Sequence, residues 1–392
     1  MRSRLFGGTL LVIGTSIGGG MLALPIVTAG AGIFYSVLSL IGCWLLMTLG
    51  ALLILEVNLR LPEGSHMVSM ARETLGLPGQ IIAWVTFLFL LYTLLAAYIS
   101  GGGDLIYGLL HEAHIELPRS LTTCLFTLVF GGVIYSGIRA VDYVNRGLMF
   151  AKLGTYLILI IIITPYIQIP KWSGGEWLAL PQSVMVLITS FGFATILPSL
   201  RDYFKSDVNE LRQLIFMGSL IPLVAYIIWI AAIDGVIERF ELIKLMTSSH
   251  ATSGLSETLR HSIHHGWINA FFNFFSSICM LTAFLGVSLG LFDFLSDGLK
   301  LKKNGRQGWL ILCLTFTPAL VIVLLYPGIY IQALNYAGIS CVILLLILPI
   351  LMAWQGRKNA NPNKNQVPGG SVMLGFLAIM AMMLLIIAYH DL

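Results

Sequence analysis

The chain has 392 residues, of which 57% are hydrophobic and only 10% are charged. A water-soluble domain carries about 25% charged residues, so a soluble globular fold is excluded and lipid is the main solvent. The net charge of +4 reflects cations placed along the loops and gives no reason to invoke nucleic acid.

Apolar segments long enough to span a bilayer are predicted near residues 5–30, 33–57, 80–103, 120–138, 147–168, 181–200, 211–233, 267–291, 308–326, 328–351 and 371–388. They define an all-α integral membrane protein with eleven transmembrane helices, since the alternating pattern of a membrane barrel is absent. The first span carries TSIGGGMLALP (15–25), three consecutive glycines and a proline inside an otherwise helix-like run. In the third span Thr86, Thr93, Ala97, Ser100 and Asp104 form a polar stripe with Tyr92 beside it. Lys152 lies about five residues into the fifth span, with Thr155 and Tyr156 on its face. The sixth span carries TSFGFATILP (189–198), which repeats Thr-Ser-x-Gly and again reaches a proline.

Residues 234–266 form a polar insert, predicted to hold short amphipathic helices. Its His261, His264 and His265 lack any further ligand motif and read as a solvated face; no metal site or cofactor is predicted. Asn269, Asn273, Ser276 and Ser277 share one face of the eighth span. Gln332, Asn335, Tyr336 and Ser340 do the same in the tenth. Residues 355–370, QGRKNANPNKNQVPGG, have linker composition and set apart a uniformly apolar last helix. The expected organisation is a core over 1–354, a cytoplasmic linker over 355–370 and a peripheral eleventh helix over 371–392.

With the N-terminus in the cytoplasm, 17 of the 22 Lys and Arg residues fall on the inner side. The odd span count then puts the C-terminus on the outside. Arg2 and Arg4 precede an apolar run too long for a cleaved signal peptide and without a clear A-x-A site. All five cysteines lie in apolar spans without a CxxC pair, as small core residues.

Setting the last helix aside leaves ten spans as five plus five, in halves of about 1–170 and 178–354. The first and sixth run in opposite directions, and each carries the Thr-Ser-x-Gly interruption. Corresponding breaks in two inverted halves point to a transporter binding site, because a half-helix end exposes unpaired backbone groups that a polar solute can use. The competing reading is close packing, for which membrane helices commonly employ glycine. An enzyme would need paired carboxylates, a metal motif or a nucleophile–base pair at membrane depth, and none is visible. A channel usually needs a repeated pore loop or charged ring, and an ATP-driven pump a GxxxxGK[ST] loop; both are absent.

GTSIGGGMLALP, AAYISGGG (96–103), TSFGF…PSL (189–200), IPLVAYIIW (221–229) and FLGVSLGLFDFLSDGL (284–299) resemble the bacterial aromatic amino acid permeases. These are the tyrosine and tryptophan carriers of the amino acid–polyamine–cation superfamily, and the likeness is strongest to tyrosine permeases. It covers essentially the whole chain. It implies a LeuT-type inverted repeat with broken first and sixth helices, a bacterial inner-membrane location and import of an aromatic amino acid, most of all tyrosine, by proton symport. A monomer is expected, whose partners are substrate, protons and lipid. Sodium coupling and broader specificity are the alternatives. Members often read SFGFH in the sixth span, where this chain has Ala194, so side-chain specificity is left open.

An amino acid zwitterion needs donors for its carboxylate and acceptors for its ammonium. Thr15, Ser16, Ile17, Gly18, Gly19 and Gly20 offer backbone N–H groups at a half-helix start. Carbonyls around Ser190, Phe191, Gly192 and Phe193 offer acceptors. Phe191 or Phe193 covers an aromatic ring on this reading, or packs ordinarily on the other. Tyr92, Asn273, Asn335 and Tyr336 complete the expected substrate site; interhelical hydrogen bonding is their alternative role. Lys152 and Thr282 are the expected coupling residues. The resemblance implies a lysine where sodium-coupled relatives hold their ion, and Ala283 stands where a second hydroxyl would bind sodium. For Lys152 the alternative is snorkelling to the inner interface.

Overall fold

The computed structural model describes residues 2–135, 138–204, 207–263, 265–358 and 366–391. Helix α1 (Arg2–Ser16) and α2 (Gly19–Thr28) divide the first apolar stretch and meet at 50°. Then come α3 (Gly32–Asn58) and α4 (Met67–Glu112). The latter bends at Gly76, where φ is 73° and ψ is −160°, a conformation open to glycine but costly for other residues. Helices α5 (Arg119–Tyr135) and α6 (Ile138–Ile163) end the first half.

In the second half, α7 (Pro181–Ser190) and α8 (Leu197–Phe204) are joined through a 3-10 turn over Gly192–Ile196. Next is α9 (Val208–Val236), and the polar insert folds as α10 (Arg239–Met246) and α11 (Ala251–Ile263). Helices α12 (Gly266–Leu299) and α13 (Gly305–Leu325) precede α14 (Tyr330–Val342) and α15 (Leu348–Lys358), which are linked by a π-helical turn at Ile343–Ile347. The last is α16 (Gly370–Asp391).

Among the described residues, nine helices are long and apolar enough to cross a membrane, and ten if α1 and α2 count as one bent span. The remaining expected span is α5, an apolar helix of 17 residues. At 1.5 Å per residue it reaches about 25 Å, against roughly 30 Å of hydrocarbon. The first four residues of the expected linker at 355–370 belong to α15, which continues to Lys358; residues 359–365 lie outside the described residues.

Packing brings the two interrupted stretches together. Helix α1 lies against α9, and α2 lies against α7. Helix α12 packs on α4 and α6, and α14 on α4 and α7. Helix α16 rests on the outside of α7, α14 and α15. Close approach is permitted by glycine: a Cβ on Gly338 would stand 2.2 Å from Met185 O, and one on Gly50 would stand 2.3 Å from Leu345 O. Leu345 sits in the π-helical turn, so α3 and the centre of the α14–α15 span are held backbone to side.

Gly50→Ala is therefore expected to lower stability by about 1–3 kcal/mol through overpacking. Gly42→Ala, on the same helix with open space around it, is expected to leave it unchanged. Melting curves of the two purified variants check this, and equal midpoints would contradict the packing described.

Candidate functional site

The α1–α2 break is built by Ile17 and Gly18. Ile17 N still donates to Ile13 O at 2.8 Å, but the first backbone bond of α2 is Met21 N to Gly18 O at 3.1 Å. The N–H groups of Gly18, Gly19 and Gly20 precede it, at a helix start where the dipole favours an anion. Upstream, the last carbonyls of α1 have lost their helical donors, and side chains from distant helices take them. Lys152 Nζ, on α6, donates to Gly14 O at 3.3 Å, to Ile17 O, and to Thr282 Oγ1 of α12 at 3.4 Å. Tyr226 Oη, on α9, reaches Ser16 O at 2.6 Å. Tyr330 Oη, on α14, donates to Gly19 O at 2.5 Å.

Lys152 is only 1% exposed. Its ammonium points into the bundle rather than snorkelling to an interface, and it ties α6, α1 and α12 together. A buried cation held by carbonyl and hydroxyl oxygens has the donor set of a small monovalent cation site, with Nζ in the place of the ion.

The second break is gentler. The helix passes into 3-10 geometry after Phe191, whose φ and ψ are −102° and 23°. Ser190 O accepts from Tyr226 Oη at 2.9 Å, so one hydroxyl contacts both breaks. The two also meet directly, since a Cβ on Gly20 would stand 3.4 Å from Ser190 Oγ. Ser16 Oγ is buried there without a partner.

A cavity of about 320 Å³ adjoins the breaks. Thr15, Gly18, Lys152, Gly192 and Thr282 line it among the expected site residues. From the first span it takes Leu11, Gly14, Thr15 and Gly18, which places it on the α1 side of the break. Its apolar wall comes from Phe87, Leu91, Leu94 and Tyr98 of α4, Met149 of α6 and Val287 of α12. On the α2 side there is no room: a Cβ on Gly19 would meet the Tyr98 ring at 2.8 Å and Met280 Sδ at 2.9 Å.

Several expected residues lie elsewhere. Phe191 and Phe193 are fully buried and do not line the cavity; Phe191 packs edge-on against Tyr226 at 5.3 Å. Ala194 is likewise buried. Tyr92 Oη donates to Leu314 O of α13 at 2.7 Å, away from the breaks. Asn273 accepts from Ser256 and faces Glu112 in a separate polar cavity of about 180 Å³. Tyr336 is 37% exposed beside Phe89, and Asn335 Oδ1 is buried without a partner. Ser16, Ile17, Gly19, Gly20 and Ser190 form the breaks themselves without lining the cavity.

Three tyrosines were missed by sequence reasoning: Tyr98, Tyr226 and Tyr330. Tyr226 carries the one hydroxyl in the apolar run IPLVAYIIWIAA, and a lone phenol there needs a buried acceptor; that was its available signal. Among the described residues no group of three or more His, Cys, Asp or Glu side chains forms a metal site. His261 is exposed in α11, and His264 lies outside the described residues.

The model of the tryptophan/tyrosine permease family matches residues 1–389. Tyrosine-specific transport system 2 of Haemophilus influenzae is 33% identical over 99% of this chain and 97% of its own length. A tryptophan-specific transport protein of the same organism is 31% identical, over 96% of this chain and 93% of its own. Glutamine transporter 2 of Aliivibrio fischeri is 29% identical, with coverage of 98% and 99%. With a match along almost its full length, the chain belongs to the tryptophan/tyrosine permease family, whose members are transport proteins rather than enzymes.

Proposed function

We propose that this protein imports an aromatic amino acid, tyrosine foremost, across the bacterial inner membrane by proton symport and alternating access. The observation that carries the reading is the pairing of two interrupted spans beside one cavity, with the N–H groups of Gly18–Gly20 at the start of α2 and carbonyl acceptors at Ser16 and Ser190. The substrate carboxylate lies on the α2 N-terminus, the ammonium on the carbonyls of the breaks, and the ring against the apolar wall of Phe87, Leu91 and Tyr98. The relatives named for tyrosine and tryptophan transport support the substrate class. The one named for glutamine favours a second reading, broader amino acid specificity, at one point: Ala194 leaves side-chain recognition to the cavity wall.

The packing supports a LeuT-type repeat. The contact of α1 with α9 has its inverted counterpart in α7 with α3, and that of α14 with α4 has it in α12 with α6. Counting α5 as a short, thin-membrane span gives eleven crossings, the N-terminus cytoplasmic and the C-terminus outside. The cavity, on the α1 side, then faces the cytoplasm, and the molecule is in an inward-facing state.

In this mechanism Lys152 is the coupling group. Protonated, it clamps α6 to the carbonyls of Gly14 and Ile17 and to Thr282. Proton loss to the cytoplasm leaves a neutral amine without its charge, which weakens the hold on these oxygens and frees the α1 half-helix to swing. A cation already present by covalent attachment makes sodium unnecessary.

Proteoliposomes test this. With a pH gradient and no sodium, labelled L-tyrosine should accumulate, and unlabelled L-tryptophan should compete better than L-glutamine. Strict dependence on sodium would overturn the coupling, and preference for glutamine the substrate class. Lys152→Ala should lose at least tenfold in uphill accumulation while equilibrium tyrosine binding changes less; retained accumulation by this variant would exclude Lys152 as the coupling group.

Gly19→Leu is expected to cut uptake at least tenfold, because any side chain there meets Tyr98 and Met280 and crowds the carboxylate position. Normal uptake by that variant would show that the glycines serve packing alone.

A further inference from the structure

Tyr226 is fully buried, at 0% exposure. Its hydroxyl stands 2.6 Å from Ser16 O and 2.9 Å from Ser190 O, one carbonyl from each interrupted span. A phenol has one proton to give, so it serves the two acceptors in alternation or as a bifurcated bond. The cavity is lined by Thr15 and Gly18 on one side and by Thr189 and Gly192 on the other, but not by Ser16 or Ser190. The two acceptors best placed for an ammonium are therefore covered by Tyr226.

We infer that the Tyr226 hydroxyl is a built-in stand-in for the substrate ammonium, holding the acceptors at Ser16 and Ser190 in the empty carrier and yielding them to the amino acid on binding. The inference rests on the substrate site proposed above. An ammonium has three protons where the phenol has one, so it satisfies both carbonyls at once, and the substrate wins the exchange. When the amino acid leaves, Tyr226 returns. Without it, two buried carbonyls would face an apolar interior unpaired, a costly state. The hydroxyl thus serves the return of the empty carrier more than the loaded crossing. Tyr330, which donates to Gly19 O on α2 alone, bridges no pair of breaks and does not share this role.

The test separates the two crossings. In proteoliposomes, net uptake of labelled L-tyrosine requires return of the empty carrier, whereas exchange against internal unlabelled L-tyrosine does not. Tyr226→Phe keeps the ring and its packing on Phe191. It should lower net uptake at least tenfold, leave exchange within about twofold, and tighten L-tyrosine binding by roughly three- to tenfold, the worth of one hydrogen bond. Tyr330→Phe should not split the two rates. Placing 3-fluorotyrosine at position 226 keeps the hydroxyl and makes it a stronger donor, so binding should weaken instead. Parallel loss of net uptake and exchange in Tyr226→Phe, or unchanged net uptake, would overturn the inference, as would equal affinities in the phenylalanine and fluorotyrosine proteins. Failure of the unmodified protein to carry L-tyrosine or L-tryptophan would instead overturn the substrate reading, and the stand-in role with it.

Discussion

A helix interrupted in an apolar interior leaves carbonyls with no donor, and each costs several kcal/mol if it stays that way. The centre of this molecule is organised around that requirement. Gly14, Ser16 and Ile17 present such carbonyls at the first break, and Ser190 presents one at the second; Gly19 O, already in the first turn of α2, takes a further donor from Tyr330. Their donors come from three helices remote in sequence: Lys152 on α6, Tyr226 on α9 and Tyr330 on α14. The interruptions therefore do more than make room. They oblige the bundle to close around them with polar side chains from other helices.

Elsewhere the polar contacts read as fixed joints. At the end of α8, Arg201 is buried and donates to Asn58 O, to Asn58 Oδ1 at 3.2 Å and to Leu61 O at 3.0 Å. The guanidinium thus caps the carbonyl end of α3, with a charge suited to the helix dipole. Nearby, Glu56 is held by Arg60 at 2.9 Å, by Arg357 at 2.9 and 2.7 Å and by Val367 N at 2.8 Å. One carboxylate so ties α3 to the end of α15 and to the approach of α16. At the opposite end of α4, Asp104 accepts from Thr252 Oγ1 at 2.7 Å, Ser253 N at 2.9 Å and Ser253 Oγ at 2.8 Å, which pins α11 over the bundle. Removing one partner from such a buried set strands the other, and that marks these joints as stabilising ties between elements. On the function proposed above, the contacts at the breaks differ, because an incoming amino acid carries donors of its own.

Much of this was legible in the sequence. The spans follow from unbroken apolar length. Two of the contacts at the break do too, in the sense that glycine runs inside such a length demand partners, and Lys152 is a rare cation at membrane depth. The polar stripes were harder. Asn269 and Asn273 share a face of α12, but that face meets Glu112 and Ser256 in the separate polar cavity, and periodicity alone does not say which neighbour a face will meet. Phe191 and Phe193 sit beside the break in sequence, yet the turn into 3-10 geometry points both into the core. Tyr226 and Tyr330 were illegible for the opposite reason: their importance comes from carbonyls on other helices, more than 200 and 300 positions away in the chain.

The most direct measurement is a structure of the protein in a lipid nanodisc with L-tyrosine bound. The account predicts an amino acid between the two breaks, its carboxylate against Gly18–Gly20 and its ammonium within hydrogen-bond distance of Ser16 O and Ser190 O. Tyr226 should then be displaced from at least one of them. Tyrosine lodged instead in the polar cavity beside Glu112 and Arg119, with the Tyr226 contacts intact, would contradict it.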